Sequence, residues 1–383
     1  MRLITLLFAG VALLSMAAEI VAQEGVAQPA AAVAKPVTPR TVVLNSSLKS
    51  PWGLAFLPDG RMLVTQKAGS ILLLDAQGER TIATLAVPPV VFRNQGGLLD
   101  VAVDPDFARD PWIYWTYTEA GSGAEESLSG TALARGRLVG NALEDIQVIY
   151  RQAPKTTGAG HFGARIVFRP DKTMFVTLGE RQKLDPAQDL DGTLGKVIRL
   201  NRDGSVPEGN PGISQTRPEI WTYGHRNPQG AALRPGTSEL WVNEHGPQGG
   251  DELNRIVAGR NYGWPKVSYG CPYGAPKGEA CRYGGGVHEP AYEPPVSFWV
   301  PTSIGPSGLV FYSGRRFPQW KGDAFIGALA GTAVWRVRLD GNREVARERL
   351  FADLRERVRD IREGPEGHLY LLTDSGKLIQ IRD

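Results

Sequence analysis

Two turn-rich segments in the second half of the chain carry the residue types that do chemistry. The first is Trp221-Thr-Tyr-Gly-His225-Arg226-Asn227-Pro228-Gln229-Gly230. The second is Asn243-Glu244-His245-Gly246-Pro247-Gln248-Gly249-Gly250-Asp251-Glu252, followed by Asn261-Tyr262-Gly263-Trp264-Pro265. Gly246-Pro247 is expected to form a turn that presents backbone carbonyls, since Pro247 has a fixed φ and no amide proton. Asp251 and Glu252 place carboxylates just beyond it, and hard oxygen donors of this kind suit Ca²⁺. Arg226 and Asn227 add a cation and an amide. Any one of these residues reads equally well as a loop cap; the whole constellation reads as a site.

Other positions extend it. His161, in Gly160-His-Phe-Gly-Ala-Arg165, precedes an apolar strand pattern. A neutral imidazole there suits a general base near neutral pH, although a lone histidine is as readily structural. Gln95, in Asn94-Gln-Gly-Gly-Leu-Leu99, holds the same place before an earlier strand, and Arg357 and Arg359 hold it in a later one. Alternation puts Arg357 and Arg359 on one strand face. With Arg226 they would form a cationic pocket suited to planar carboxylates, which arginine grips bidentately. The alternative is that these arginines tie neighbouring elements together. Glu180-Arg181 and Gln188-Asp-Leu-Asp191 are expected in a solvated loop rather than in a second acidic site. The sequence has no Gly-rich phosphate loop, zinc motif or Gly-x-Ser-x-Gly elbow.

These groups need a scaffold that brings distant loops together. The 383 residues include 46 Gly and 28 Pro and show no long amphipathic helical pattern, which predicts many short strands joined by tight turns. An apolar strand, a Pro-Asp-Gly-like turn and a second apolar strand recur six times, at 53–65, 99–117, 163–177, 229–242, 307–327 and 358–373. Repeats of this kind predict an all-β chain, a six-bladed β-propeller of four-stranded antiparallel blades. Residues 41–383 would be a single domain, with Thr41–Asn45 completing the last blade. A β-sandwich with coincidental hairpins is the competing architecture. In a propeller, loops at one end converge on the axis.

The formal net charge of +3 is too small and too scattered to indicate nucleic acid. Arg2, the apolar run Leu3–Met16 and the small residues Ala17, Ala18 and Ala22 predict a secretory signal peptide over 1–22, with cleavage after Ala17 or Ala18 as alternatives. The run is shorter than the about 20 residues a membrane span needs. Residues 23–40 are expected to be a flexible leader, and the protein periplasmic or secreted. Cys271 and Cys281 are the only cysteines. In an oxidising compartment they are expected to pair, adding about 2–3 kcal/mol, whereas a metal site would need further ligands.

From about Thr41 to the C-terminus the sequence resembles the soluble quinoprotein glucose/aldose sugar dehydrogenases, which use pyrroloquinoline quinone (PQQ). The motifs that carry the resemblance are those quoted above, together with Arg357-Val-Arg359-Asp360. The resemblance implies oxidation of an aldose at its anomeric carbon to a lactone, with hydride passing to PQQ and electrons to an external acceptor. It implies that His161 is the base, and that Gly246 and Pro247 offer carbonyls to the Ca²⁺ associated with PQQ. Arg226 and Asn227 would bind PQQ and stabilise developing negative charge, Arg357 and Arg359 would hold its carboxylates, and Gln95 would border the substrate. Glu252 and Tyr262 match the position of a second, structural calcium. Two positions depart from the glucose-oxidising members: a PQQ-holding lysine falls near Ala330, and the aspartate before the base is Gly160. Both point to the broader aldose branch. The competing functions are a calcium-dependent lactonase-type hydrolase and a non-catalytic ligand-binding propeller.

Overall fold

The computed structural model describes residues 38–383, so the predicted signal peptide and nearly all of the leader lie outside the described residues. The short repeats build six four-stranded antiparallel sheets. Blade 1 runs from β2 (Pro51–Phe56) through β3 (Met62–Gln66) to β5 (Thr81–Ala86), and blade 2 from β6 (Leu98–Val103) to β9 (Ala142–Arg151). Blade 3 comprises β10 (Gly163–Phe168), β11 (Met174–Leu178) and two further strands ending with β13 (Ile220–Tyr223). Blade 4 holds β14 (Pro228–Leu233), β15 (Leu240–Glu244), β16 (Asp251–Ile256) and β17 (Ser297–Trp299). Blade 5 runs from β18 (Pro306–Phe311) through β19 (Ala324–Ala328) to β21 (Arg343–Leu350). Blade 6 takes β22 (Val358–Glu363), β23 (Leu369–Thr373) and β24 (Leu378–Arg382) from the C-terminus, and β1 (Arg40–Asn45) from the other end of the domain. Thr41 stands opposite Ile381, so the expected closure of the ring by this strand is observed.

Turn chemistry explains the hairpins. In Pro58-Asp59-Gly60, Gly60 adopts φ +87°, a region that glycine enters without a Cβ penalty. The Asp59 carboxylate accepts the Arg61 amide at 3.0 Å, closing the turn. Apolar residues fill the space between neighbouring blades, as where Leu63 and Ile71 of blade 1 pack with Val101 and Trp115 of blade 2.

The first strands of successive blades touch in sequence around the axis. They are clamped there by ions. The fully buried Arg165 on β10 pairs with Asp100 at 2.7 Å and with Asp360 at 3.2 Å, and donates to the Gln229 carbonyl at 3.0 Å. Arg362 bridges the same two aspartates at 3.1 Å each. Asp100 and Asp360 also accept the amides of Ile166 and Leu54. A buried charge network of this kind is tolerable only with every carboxylate engaged, and here it fixes the register of five blades at the axis. Thus Arg165 and Arg362 tie blades together at the axis, and Arg357 and Arg359 add hydrogen bonds to Leu329 and Gln229 of other blades.

Candidate active site

The loops at one end of the ring surround a cavity of about 440 Å³. Gln95, Gly246, Pro247, Arg357 and Arg359 line it, as do Trp52 and Ala330. Trp52 rests on the Arg165 guanidinium at 4.4 Å, so the axial clamp also supports the cavity. His161, Arg226 and Asn227 do not line this cavity directly. They pack behind it and are joined to its lining by hydrogen bonds, as follows.

His161 is held in the left-handed region at φ +52°, and its amide donates to the Gln95 side-chain oxygen at 2.8 Å. Its Nδ1 lies 2.5 Å from Glu180 Oε1. Glu180 also accepts the amides of Lys183 and Leu184, which keeps it ionised and acceptor-only. Burial would raise the Glu180 carboxyl, but the hydrogen bond to His161 and its other donors hold it below the usual range. Burial lowers the His161 imidazole below its ordinary value, against the opposing hydrogen bond it donates to Glu180 and with help from Arg226. The imidazole is therefore neutral at pH 7, with its Nδ1–H donated to Glu180. Nε2 accepts no hydrogen bond among the described residues and keeps its lone pair. Glu180 and Arg181 are thus not the solvated loop expected from sequence. Both are completely buried, and Arg181 stacks on Phe162 at 3.8 Å while donating to the Gly158, Gly160 and Ser129 carbonyls. Asp189 and Asp191 remain exposed, as expected. A side chain at Gly160 would meet Gln182 at 2.6 Å, so an aspartate there would need Gln182 to move.

The Gly246-Pro247 turn is the opposite wall. Arg226 donates to the carbonyls of Gly246 at 2.8 Å and His245 at 3.2 Å, and its own amide donates to Glu244 at 2.6 Å. Pro247 offers its carbonyl to Ser303 Oγ at 3.2 Å. Asp251, expected as a carboxylate beside a calcium, has another task. Its two oxygens accept the amides of Gly246, Ile304 and Gly305 at 2.6–2.9 Å and so brace the turn from behind. Burial outweighs those bonds and lifts its carboxyl to about 6. Above the turn hangs the loop closed by the Cys271–Cys281 disulfide, which is formed as expected. It carries Tyr273, 72% exposed, whose hydroxyl lies 3.4 Å from the Arg226 guanidinium and whose ring also lines the cavity.

On the third side, Arg357 and Arg359 share one carboxylate. Each places Nε 2.9 Å from Asp374, and Arg359 also donates to Gln229 at 3.1 Å. Burial would raise the Asp374 carboxyl, but Arg359 and Arg357 together hold it low. The expectation that both arginines reach one place is met; Asp374, which positions them, was not singled out in the sequence. Nor was Lys67, and Glu180 was expected only as part of a solvated loop. These residues have a common address: Lys67, Glu180, Ala330 and Asp374 each come just after the second strand of their blade, as does His245. Aligning the six repeats at that point was the signal that could have found them.

Glu252 and Tyr262 lie at a second, much smaller cavity shared with Glu244 and Arg226. Glu252 and Glu244 are directly opposed across β15 and β16, and Asn254 Nδ2 bridges them at 3.2 and 3.1 Å. Burial, reinforced by Glu244, pushes the Glu252 carboxyl well above its usual range. Glu244 is also engaged by His225 Nδ1 and the Arg226 amide, and the remaining carboxylate oxygens here are of a type that would suit a hard cation such as calcium. Tyr262 cannot contribute its hydroxyl, which donates to the Arg255 carbonyl at 2.6 Å; only its backbone carbonyl is available.

The larger cavity also fits the cofactor that the motifs imply. Of its lining, buried His245 Nε2 has no hydrogen-bond partner, an uncommon condition for a buried polar atom that a polar ligand would relieve; Arg226 Nε and Asn227 Nδ2, behind the lining, lack one too. The Gly246 and Pro247 carbonyls, each with a second lone pair, are suitable hard donors for Ca²⁺. Arg357 and Arg359 supply planar donors for carboxylates.

The class of this six-bladed propeller with its cationic cavity follows from its similarity to known proteins. The family model for glucose/sorbosone dehydrogenases matches residues 48–380. The chain belongs to that family and is an oxidoreductase. Aldose sugar dehydrogenase YliI of Escherichia coli K12 is 41% identical over 355 residues, covering 91% of this chain and 94% of that protein. Quinoprotein glucose dehydrogenase B of Acinetobacter calcoaceticus is 27% identical, covering 89% and 86% respectively. The crystal structure of the apo-form of the E. coli aldose sugar dehydrogenase superposes with a TM-score of 0.83 over 90% of this chain and 99% of that one, at 41% identity. The PQQ-bound aldose sugar dehydrogenase of Streptomyces coelicolor gives 0.73, over 91% and 99%, at 28% identity.

Proposed function

We propose that the protein is a PQQ- and Ca²⁺-dependent aldose dehydrogenase that oxidises the anomeric carbon of a sugar to the lactone. The observation that carries this reading is the junction at Gln95. Its side chain faces the cationic cavity and holds the backbone of His161, whose ring is oriented by Glu180. When bound, PQQ would supply the hydride acceptor and Ca²⁺ a Lewis acid at its reactive carbonyl. The chain's own residues do the rest. His161 Nε2 takes the proton of the anomeric hydroxyl, and Glu180 stabilises the imidazolium that forms. Arg226 and Asn227 hold donors toward negative charge as it develops. Arg357 and Arg359, kept parallel by Asp374, grip carboxylates. Gly246 and Pro247 present carbonyls to the calcium, with Asp251 fixing their turn, while Glu252, Glu244 and the Tyr262 carbonyl hold a second, structural calcium. Electrons then leave to an external acceptor. Export to the periplasm or medium is part of the same reading, which the disulfide supports.

The test is reconstitution. Residues 23–383, stripped of metal with a chelator, are assayed for dye reduction with a panel of aldoses. Activity is expected only with PQQ and Ca²⁺ together. Lactone hydrolysis without PQQ would replace this reading with the hydrolase, and absence of both activities and of PQQ binding would leave a binding propeller.

A further inference from the structure

The charges lining the cavity are not evenly matched. Three cationic side chains, Lys67, Arg357 and Arg359, face two carboxylates, Asp251 and Asp374. Asp251 is turned to backbone amides, and Asp374 is shared between the two arginines. Asp374 therefore acts on Lys67 only at a distance, without forming an ion pair with it. Its ammonium donates to the Asn94 carbonyl and stands 5.4 Å from the Phe92 ring, both uncharged. It forms no ion pair among the described residues. Burial and then Arg359 lower the basicity of this amine, Asp374 offsets them only in part, and an anion directly beside it would favour the charged form further.

The address of Lys67 sharpens the point. Lys67, Asp374 and Ala330 occupy corresponding places, just after the second strand of blades 1, 6 and 5, and all three line the same cavity. Around this side of the mouth the chain thus presents a cation, an anion already paired, and a neutral methyl group. An aldose has no negative charge to offer Lys67. A tricarboxylate quinone does, and a flexible ammonium can meet a carboxylate that the fixed arginine forks do not reach.

We propose that Lys67 binds a carboxylate of PQQ, providing from blade 1 the cation that blade 5 lacks at Ala330. The inference rests on the PQQ reading above. It is tested by binding rather than turnover: PQQ is titrated into the Ca²⁺-loaded apo-protein, followed by quenching of tryptophan fluorescence, for which Trp52 in the cavity is a reporter. Lys67→Ala and Lys67→Met are expected to weaken PQQ about ten- to a hundredfold at low salt, the range for a hydrogen bond to a charged group. Lys67→Arg should retain most of the affinity, and Ala330→Lys should recover part of it in the Lys67→Ala background. Raising the salt should narrow the gap between wild type and Lys67→Ala. The trimethyl ester of PQQ, which has no carboxylate charge, should bind both proteins equally. If wild type binds PQQ and the folded Lys67 variants bind it as tightly, the inference is overturned. It is also overturned if ester and acid lose affinity alike, since Lys67 would then act through shape. Failure of wild type itself to bind PQQ overturns the cofactor reading instead, and this inference with it.

Discussion

Two histidine–glutamate pairs occupy equivalent places in neighbouring blades. In blade 3, His161 lies before the first strand and Glu180 after the second. In blade 4, His225 likewise lies before the first strand while Glu244 ends the second, with the same separation in sequence. Both histidines set Nδ1 on the glutamate, at 2.5 and 2.9 Å. They differ at the other nitrogen. His225 Nε2 is 2.9 Å from the Thr222 hydroxyl, the ring is completely buried, and Tyr262 stacks on its face at 4.6 Å. His161 keeps Nε2 free of protein partners and is 5% exposed. The same dyad is thus closed in one blade and open in the next. A carboxylate-bound histidine becomes a base only where its second nitrogen can reach solvent or substrate; where both nitrogens are engaged it is a strut.

Substitutions can break this comparison. The largest effect is expected for His161→Ala, which should lower kcat of the reconstituted enzyme by about 10²- to 10⁴-fold, the usual contribution of a general base. PQQ affinity should hardly change, and full turnover would remove His161 from the mechanism. His225→Ala should instead act on stability. It leaves Glu244 partly unpaired in the interior, costing on the order of 3 kcal/mol, read as a lower unfolding midpoint. Turnover per folded molecule should fall far less than in His161→Ala, and the reverse ranking would invert the assignment of the two dyads.

Glu180→Gln is the sharper probe of the open pair, with an expected loss in kcat of about ten- to a hundredfold. Its sign in pH is fixed by the structure. Activity requires neutral His161, so it is lost as pH falls through the lowered imidazole value. Glu180 raises that value, so its neutralisation should move the acid limb of the rate profile to lower pH. An unmoved limb would mean that the rate does not report His161. Arg357→Ala and Arg359→Ala should each weaken PQQ by about tenfold, measured by titration, with the larger effect at the better buried Arg359. The smallest effect is expected at Tyr273→Ala, a severalfold rise in KM for sugars at nearly constant kcat, since Tyr273 touches the cavity only at its exposed lip.

The sequence by itself determined the propeller. Strand length, Pro-Asp-Gly turns and a six-fold recurrence are local features, and local turn chemistry acts the same way wherever the chain goes. It also marked residues before the first strand of four blades, Gln95, His161, Arg226 and Arg357, because distinctive motifs surround them. Only the tertiary structure decided which partner each one meets. Glu180 and Asp374 sit in stretches that read as ordinary polar loops, and their roles arise because antiparallel pairing within a blade sets the end of the second strand beside the beginning of the first. Asp251 shows the same limit from the other side. Its position suggested a metal ligand, yet three backbone amides, two of them more than fifty residues away, claim its oxygens. Hydrogen-bond partners and desolvation are set by neighbours in space, and in this propeller those neighbours come from the paired strand of the same blade, as for Glu180 and Asp374, or from the next blade, as for Asp251.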